Sequence, residues 1–495
     1  MRTRQGTSQA GRARTSKHVV AGALLALGIA AYPATSHAAT LQVGPGKTYA
    51  KPCMAIAAAA AGDVIEVDAA GSANYKGDTC AWSTNNLTIR GVNGRPKLDI
   101  TGTTPAQQKG LFTISAVSAT IENLEFTGAA ISVAAGNNGA GIRHQGTNLT
   151  VRGCYFHDNQ NGILGSPATP NTGNVLIESS EFEHNGAGDG FSHAMYLGNY
   201  AQFTLQYSYS HRGNVGHLVK SRGNVNRILY NRLTDEVSGT SSYELNLPNA
   251  GTSYVIGNVI EQAATTQNPA LIAYGEEGVP AGYDAHLYVV NNTFLNNRAA
   301  GGTFINNATT TPAVITNNIF YNAGTITPQA SAMQTSNFVS ATMGDPKFAA
   351  VATYDVRLLA GSPAIDKGTD PGSASGQALQ AVEQYLHPTG HESRGISGSA
   401  VDVGAYEFGN PGVPGQDGGS AGADMASAGD ASTDPPGEST RMTNAFRSRS
   451  ASAVRNNAAM LWPAAVPAPP SPSTISPATV STPICPSFAG VWALI

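Results

Sequence analysis

The chain has 495 residues and a formal net charge of −4, and only 12% of its residues are charged, about half the ~25% of an average globular protein. A mildly acidic chain with so few charges excludes general affinity for nucleic acid. Its surface must be built from Asn, Thr, Ser and Gly, which suits neutral or locally recognised sugars.

Residues 1–38 carry Arg2, Arg4, Arg12, Arg14 and Lys17, then the apolar run Val19 to Ala31, then Ser36-His37-Ala38. That order is the order of a secretory signal with a small-x-small cleavage site, and the run is too short for a spanning helix. A mature chain starting near Ala39 is expected, secreted or at the cell surface, with no transmembrane segment once the signal is removed. Losing five basic residues and no acidic one takes the formal charge from −4 to −9.

A short phrase, apolar-x-x-small/Asn-x-Phe-like, then recurs along the chain. It reads Ile121-Leu124-Phe126, Val151-Cys154-Phe156, Ile177-Ser180-Phe182, Leu205-Ser208-Ser210, Ile228-Asn231-Leu233, Val255-Asn258-Ile260, Val289-Asn292-Phe294 and Ile315-Asn318-Phe320. The intervals between first positions are 30, 26, 28, 23, 27, 34 and 26, the pattern of a solenoid with loops of variable length. Each phrase sits in a run of alternating apolar and polar residues, such as Leu149 to Arg152, which predicts strands rather than helices. After a polar turn comes a second apolar strand: Gly141-Ile142, Gly162 to Leu164, Met195 to Leu197, His217 to Val219, Leu245 to Leu247. Two or three short strands per unit make one coil, and coils stacked in parallel without helices make a β-helix. Nine or ten coils spaced ~4.8 Å apart would span on the order of 45 Å. The recurring Asn at the fourth position of the phrase either forms an amide ladder along the axis or serves only as a turn former.

These residues resemble the secreted right-handed parallel β-helix proteins of the pectate-lyase-like superfamily. Lys47-Thr48-Tyr49, Cys53 to Ala57 and Gly62 to Val67 look like the superfamily's N-terminal cap, a short Ala-rich helix feeding the first strand. Asp345 to Phe348, Tyr354 to Leu358, Gly361 to Asp366 and Asp402 to Glu407 look like the choice-of-anchor Q segment that closes many such proteins. The resemblance runs from about residue 41 to 408. It implies an all-β fold, a single-stranded right-handed parallel β-helix with a short N-terminal capping helix. Asp63, Asp345 and Asp366 then read as turn or capping residues. Of the four cysteines, Cys53 and Cys80 both fall in the capping region and are the expected pair in an oxidising compartment, although four cysteines allow three full connectivities. Cys154 shares a phrase position with Leu124 and Ser180 and is expected to pack as a small buried thiol. No cysteine spacing resembles a zinc site.

Candidate chemistry lies on three successive second strands, His193 to Tyr196, His217 to Arg222 and Tyr243 to Leu247. Aligning Met195, Val219 and Leu245 as inward residues places Tyr196, Lys220 and Asn246 in one outward column, with Arg222 and Glu244 beside it. Lys220 and Arg222 share a face about 7 Å apart, so the guanidinium lowers the lysine pKa and favours a neutral amine. A neutral amine is what a general base needs near pH 7. In β-elimination of a uronate polymer, Lys220 would take the C5 proton, Arg222 would hold the carboxylate, and Tyr196 or His193 would donate a proton. His217, Glu244 and Asn246 would bind substrate. In the β-helix lyases acting on alginate and dermatan, a Lys base and an Arg come from neighbouring coils, commonly beside calcium. Here both lie on one strand, and Asn246 stands a coil later where the Arg would be. Calcium is thus the cofactor left open, and no metal ligands are assigned. The competing reading is a solvated Lys-Glu-Arg ladder between coils.

A second cluster stacks His157-Asp158, Glu183-His184, His211-Arg212 and Thr234-Asp235 in one turn. It reads as a hydrolytic carboxylate pair, as a metal site of His and carboxylate ligands, or as a turn ladder. Glu276-Glu277 lies in a loop and reads as a cation binder or a solvated acidic turn.

From Gly409 the composition shifts to Gly, Ser, Ala and Pro, which cannot bury a core and predicts a disordered tail. The expected organisation is a signal over 1–38, a β-helix with its cap over 39–330, a closing segment over 331–408 and the tail over 409–495. The expected partner is a polysaccharide, handled by a monomer. The expected function is lyase cleavage of an acidic glycan. The alternatives are a non-catalytic glycan-binding or adhesion scaffold and a glycoside hydrolase.

Overall fold

The computed structural model describes residues 38–410, apart from Gln267. The expected signal through residue 37 and the expected tail from residue 411 lie outside the described residues. Within them the chain forms a single-stranded right-handed parallel β-helix whose coils build three parallel sheets. Sheet I has twelve strands, from Thr40–Val43 to Met333–Thr335. Sheet II has ten, from Lys97–Asp99 to Phe338–Val339. Sheet III has nine, from Cys80–Trp82 to Thr303–Asn307. From Leu87–Val92 to Thr303–Asn307 each coil visits them in the order I, II, III. Strands of sheets I and II continue past residue 330, where the resemblance had the closing segment begin.

The repeating phrase is the register of this solenoid. Its first positions, from Ile121 through Val151, Ile177, Leu205, Ile228, Val255 and Val289 to Ile315, are direct partners along sheet I. Its last positions, Phe126 through Phe320, are partners along sheet II. Between the two, the residue before the fourth position takes the left-handed conformation in coil after coil: Asn123, Gly153, Ser179, Tyr207, Tyr230, Gly257, Asn291 and Asn317. One such residue per coil bends the chain sharply from sheet I into sheet II, and Asn and Gly tolerate that conformation best.

Of the two readings of the Asn at the fourth position, the structure shows the ladder, while the turn itself is made by the residue before it. The backbone N–H groups of Ser208, Asn231, Asn258, Asn292 and Asn318 each donate to the side-chain oxygen one coil on, at 2.9 Å, ending at Asn337. The amides of Asn231 to Asn337 also bond to one another at 2.9–3.1 Å. Each rung satisfies backbone groups that water cannot reach. Toward the N-terminus the hydroxyls of Ser180 and Ser208 take over, accepting from Cys154 N and Ser180 N at 3.2 Å. Cys154 is buried and free, as expected.

The interior is apolar and continuous. Phe126, Phe156 and Phe182 stack at 4.8 Å between ring centres, one coil apart, and Phe294 stacks on Phe320 at 5.1 Å, each contact contributing about 0.5–1.5 kcal/mol beyond its buried area. The helix Pro52–Ala58 tucks Ala55 and Ile56 against the first coils. Cys53 and Cys80 form a disulfide that ties this cap down. Asp63 closes a turn by accepting from Ala39 N and Ala60 N at 2.8 Å. Among the described residues, no helix is long and apolar enough to cross a membrane.

After Val339 the chain folds back along the outside of the turn between sheets I and II. Leu379 and Ala381 pack on Tyr230, Tyr254, Ile256, Tyr288 and Val290. His391 stacks on Tyr207 at 3.7 Å, and Asn291 donates to Asp402 O at 2.9 Å. Asp345 and Asp366 serve as turn residues here, accepting from Lys347 N at 2.8 Å and from Ser399 N at 2.6 Å. The segment thus clads the solenoid's flank rather than only its end.

Candidate functional site

Strand alternation fixes the outward face of sheet III. One column of direct partners runs Thr113, Arg143, Leu164, Tyr196, Lys220, Asn246, Ala273 and Asn306. The three residues expected in one column, Tyr196, Lys220 and Asn246, are therefore consecutive neighbours. Arg222, two residues past Lys220, donates from Nε to Tyr196 Oη at 2.7 Å. The Lys220 ammonium lies 5.2 Å from the centre of the Tyr196 ring.

A loop over residues 275–286, which falls within the longest repeat interval, lies beside this group. Its Glu277 places one oxygen 2.6 Å from Arg222 Nη2 and the other 3.8 Å from Lys220 Nζ. Arg222 also donates to Asn249 Oδ1, and its carbonyl accepts from Tyr283 Oη at 3.2 Å. Glu276 is held separately by Asn306 Nδ2 at 2.7 Å and Tyr243 Oη at 3.2 Å. Burial, and then the Arg222 charge, draw the Lys220 pKa below its ordinary value, opposed by Glu277 and Glu276. Asn246 is 3% exposed, and among the described residues its side-chain amide makes no hydrogen bond. The arrangement is a fixed cationic pair with a phenol and an open amide beside it, and a carboxylate already seated on the pair.

The remaining expected residues lie beneath the column rather than in it. His193 is 2% exposed, and its Nδ1 accepts from the backbone N–H of His217 at 3.0 Å. Burial, then His217, Lys220 and Arg222, hold its pKa well below the ordinary imidazole value. His217 stacks on it at 4.4 Å, and burial pushes its pKa down to about 3. Buried and held as the neutral imidazole, His193 presents no exposed acidic N–H to the groove, against the expectation of it as a proton donor. Glu244 departs furthest from its expected place beside the column. It is fully buried, and both carboxylate oxygens lack a partner. Because Val219 pairs with Leu245, Glu244 falls in the row of Leu218. That row also holds Gly162, whose missing Cβ would sit 2.9 Å from the Phe182 ring. The strand bends as it enters sheet III, so two consecutive residues face inward. A residue there cannot touch a ligand in the groove.

The second cluster forms on the outer face of sheet II, where its members pair with one another. His157 bonds to Glu125 at 3.0 Å and Asp158 at 2.7 Å, and His184 bonds to Asp158 at 2.8 Å. Arg212 bridges Glu183 at 2.7 Å and Glu236 at 2.8 Å. His211 lies between Glu181 at 3.2 Å and Glu236 at 3.9 Å. Glu181, Glu183 and His211 come within 4.8 Å of one another. Asp235 leaves this column for the interior, accepting from Ser241 N and Oγ at 2.6 Å. The back-folded segment roofs this side, with His387 edge-on to Tyr209 at 4.9 Å. The geometry is the turn ladder anticipated as one of three readings. A cavity of about 310 Å³ lined by Thr103, Gln108, Ile131 and Ser132 holds no acid or base.

Three residues of the sheet III face were not pointed out by sequence patterning: Arg143, Asn249 and Tyr283. Extending the aligned column two coils toward the N-terminus would have found Arg143. Asn249 and Tyr283 reach Arg222 from loops, where no periodicity guides a reading.

A family model described as a right handed beta helix region matches residues 75–260. Pectate lyase Pel9A superposes with a TM-score of 0.51 and 16% identity, covering 75% of this chain and 97% of that one. The chain folds as a right-handed parallel β-helix. At that identity the likeness speaks for the β-helix alone. A pectin methylesterase from Aspergillus niger superposes with a TM-score of 0.27 and 10% identity, over 62% of this chain and 87% of that one, too loosely to carry an argument. No curated protein matches the chain in sequence.

Proposed function

We propose that this β-helix binds an acidic polysaccharide on the outer face of sheet III and cleaves it by β-elimination. The observation that carries the reading is Glu277, whose carboxylate sits on Lys220 and Arg222 where a uronate carboxylate would sit. A pair that already holds one carboxylate has the charge and geometry to hold another. With the substrate in its place, Arg222 binds the carboxylate and stabilises the enolate-like charge that develops on it. Lys220, as neutral amine, takes the C5 proton. The C5–H electrons form the C4–C5 double bond, and the C4–O bond breaks with its pair on the departing oxygen. Tyr196 Oη, which accepts from Arg222 and so keeps its own hydrogen free, protonates that oxygen. The ammonium of Lys220 then returns its proton to the phenolate through solvent.

The side chains around Lys220 do not suit calcium. Glu277 faces two fixed cations, and Glu276 is engaged by Asn306 and Tyr243. Calcium wants six to eight oxygens, and no further acidic side chain converges there among the described residues. Neutralisation of the substrate carboxylate rests on Arg222. The Cys53–Cys80 disulfide supports an exported protein, since such bonds persist in oxidising compartments.

The test is to incubate the protein with alginate, pectate and glycosaminoglycans and follow the ultraviolet absorbance of the unsaturated product. Absorbance that disappears in Lys220→Ala and survives a chelator is expected. No absorbance on any uronate polymer overturns the lyase reading. Saturable binding without product would then favour the glycan-binding scaffold, and reducing ends without absorbance would favour a hydrolase.

A further inference from the structure

Arg143 stands in the same outward column as Lys220, separated from it by Leu164 and Tyr196. Three coil spacings put the two positions about 14 Å apart. The guanidinium is half-buried, and among the described residues it has neither an ion pair nor a hydrogen bond. Arg222 and Arg232 are also drawn in against the solenoid, yet each meets a carboxylate. Withdrawing a cation from water without a counter-charge is costly, and burial pulls the Arg143 pKa down, with only the Tyr200 phenol acting the other way. The cost is recovered when an anion arrives.

The surroundings show where that anion comes from. One coil before Arg143, the outward residue Thr113 is fully buried and donates to Ala106 O at 3.3 Å. The open column therefore begins at Arg143. Between it and Lys220 the floor is Leu164 and Tyr196, an apolar and an aromatic surface suited to the faces of pyranose rings. In an extended 1,4-linked chain each sugar advances by about one coil spacing. A chain lying along the column with one carboxylate on Arg222 and Lys220 thus brings the carboxylate about three sugars away to Arg143. A polymer that turns once in three residues presents that carboxylate on the same side.

We propose that Arg143 is a second carboxylate-binding position, taking the uronate about three residues from the one on Lys220 and Arg222. The proposal rests on the polysaccharide reading above and adds the direction of the chain along the solenoid axis and a minimum length of substrate. A planar guanidinium grips carboxylate with two parallel hydrogen bonds, which an ammonium cannot match.

The test is calorimetric binding of oligogalacturonates from about two to six residues to the full chain, to Arg143→Gln and Arg143→Lys, and to Lys220→Ala. Wild type is expected to gain roughly tenfold in affinity once the oligomer is long enough to reach Arg143. Arg143→Gln should lose that step while binding the shortest oligomers unchanged, and Arg143→Lys should recover part of it. Long oligomers binding Arg143→Gln as tightly as wild type would overturn the second position and leave the first standing, provided Lys220→Ala is weakened at every length. If wild type binds none of them, or Lys220→Ala binds them all equally well, the groove itself is misassigned and Arg143 falls with it. Unchanged thermal melts of the Arg143 variants exclude a folding defect.

Discussion

Glu244 is the residue whose surroundings least resemble its chemistry. A carboxyl group with no hydrogen-bond partner lies inside an apolar solenoid, and burial, then the nearby Asp235, raise its pKa well above 4.5. A folded-state pKa above the unfolded one gives stability that is fully present below about 4.5 and is lost as the pH climbs through the folded value. Its row neighbours Leu218 and Leu271 show what the interior would accept. Glu244→Leu is therefore expected to stabilise the protein by about 1–3 kcal/mol at neutral pH. Denaturant melts against pH should show the gain growing upward from about pH 4.5, and an equal difference at pH 4 and pH 8 would refute it. The same residue shows how far strand alternation reaches. Tyr196, Lys220 and Asn246 were legible because they sit mid-strand, where every second side chain points out. Glu244 was not, because one residue at the strand entrance belongs to the corner.

Among elements, the loop over residues 275–286 sets the state of the cationic pair. It brings Glu277 to Lys220 and Arg222, and the negative charge favours the ammonium form of Lys220. Glu277→Gln removes that charge, so the Lys220 pKa must fall and the free amine must appear at lower pH. The rising limb of kcat/KM against pH, which reports the free enzyme, should move to lower pH in this variant. A limb that stays in place would mean Lys220 is not the base. The dipeptide Glu276-Glu277 was visible as an acidic turn in the sequence, but its target was not, since the loop crosses about two coils to reach it. The Asn ladder is the opposite case. Four asparagines recur at one position of the phrase, and each ladders onto the same position one coil later, so the spacing already held the ladder as one of its two readings.

At the scale of the molecule, stability is distributed coil by coil, because each coil touches mainly its neighbours. The Cys53–Cys80 disulfide closes a loop of 27 residues, which constrains the unfolded chain by about 3.5 kcal/mol in the loop-entropy account. Reduction should therefore loosen the cap and spare the rest. Hydrogen exchange in dithiothreitol is expected to lose protection over Pro52–Ala58 and Val64–Asp68 while the ladder from Asn231 onward keeps it. Uniform loss would mean the solenoid unfolds as one unit. The coils were legible because a repeat announces itself many times. The back-folded segment was not, because its contacts join single residues far apart, such as Tyr230 and Val382 at 3.2 Å.

That segment also decides how the solenoid bears load. Just before residue 410 the chain is fastened sideways, with Ala405 N on Thr293 Oγ1 at 3.0 Å, Gly404 N on Asn317 O at 2.8 Å and Arg394 locked to Glu407 at 3.2 Å. Farther back, Val382 and His391 grip Tyr230 and Tyr207. A pull on residue 410 therefore does not peel the last coil away strand by strand. It must first shear contacts spread from the coil of Tyr207 to that of Asn317, which makes the flank of the rod, rather than its tip, the point where tension enters.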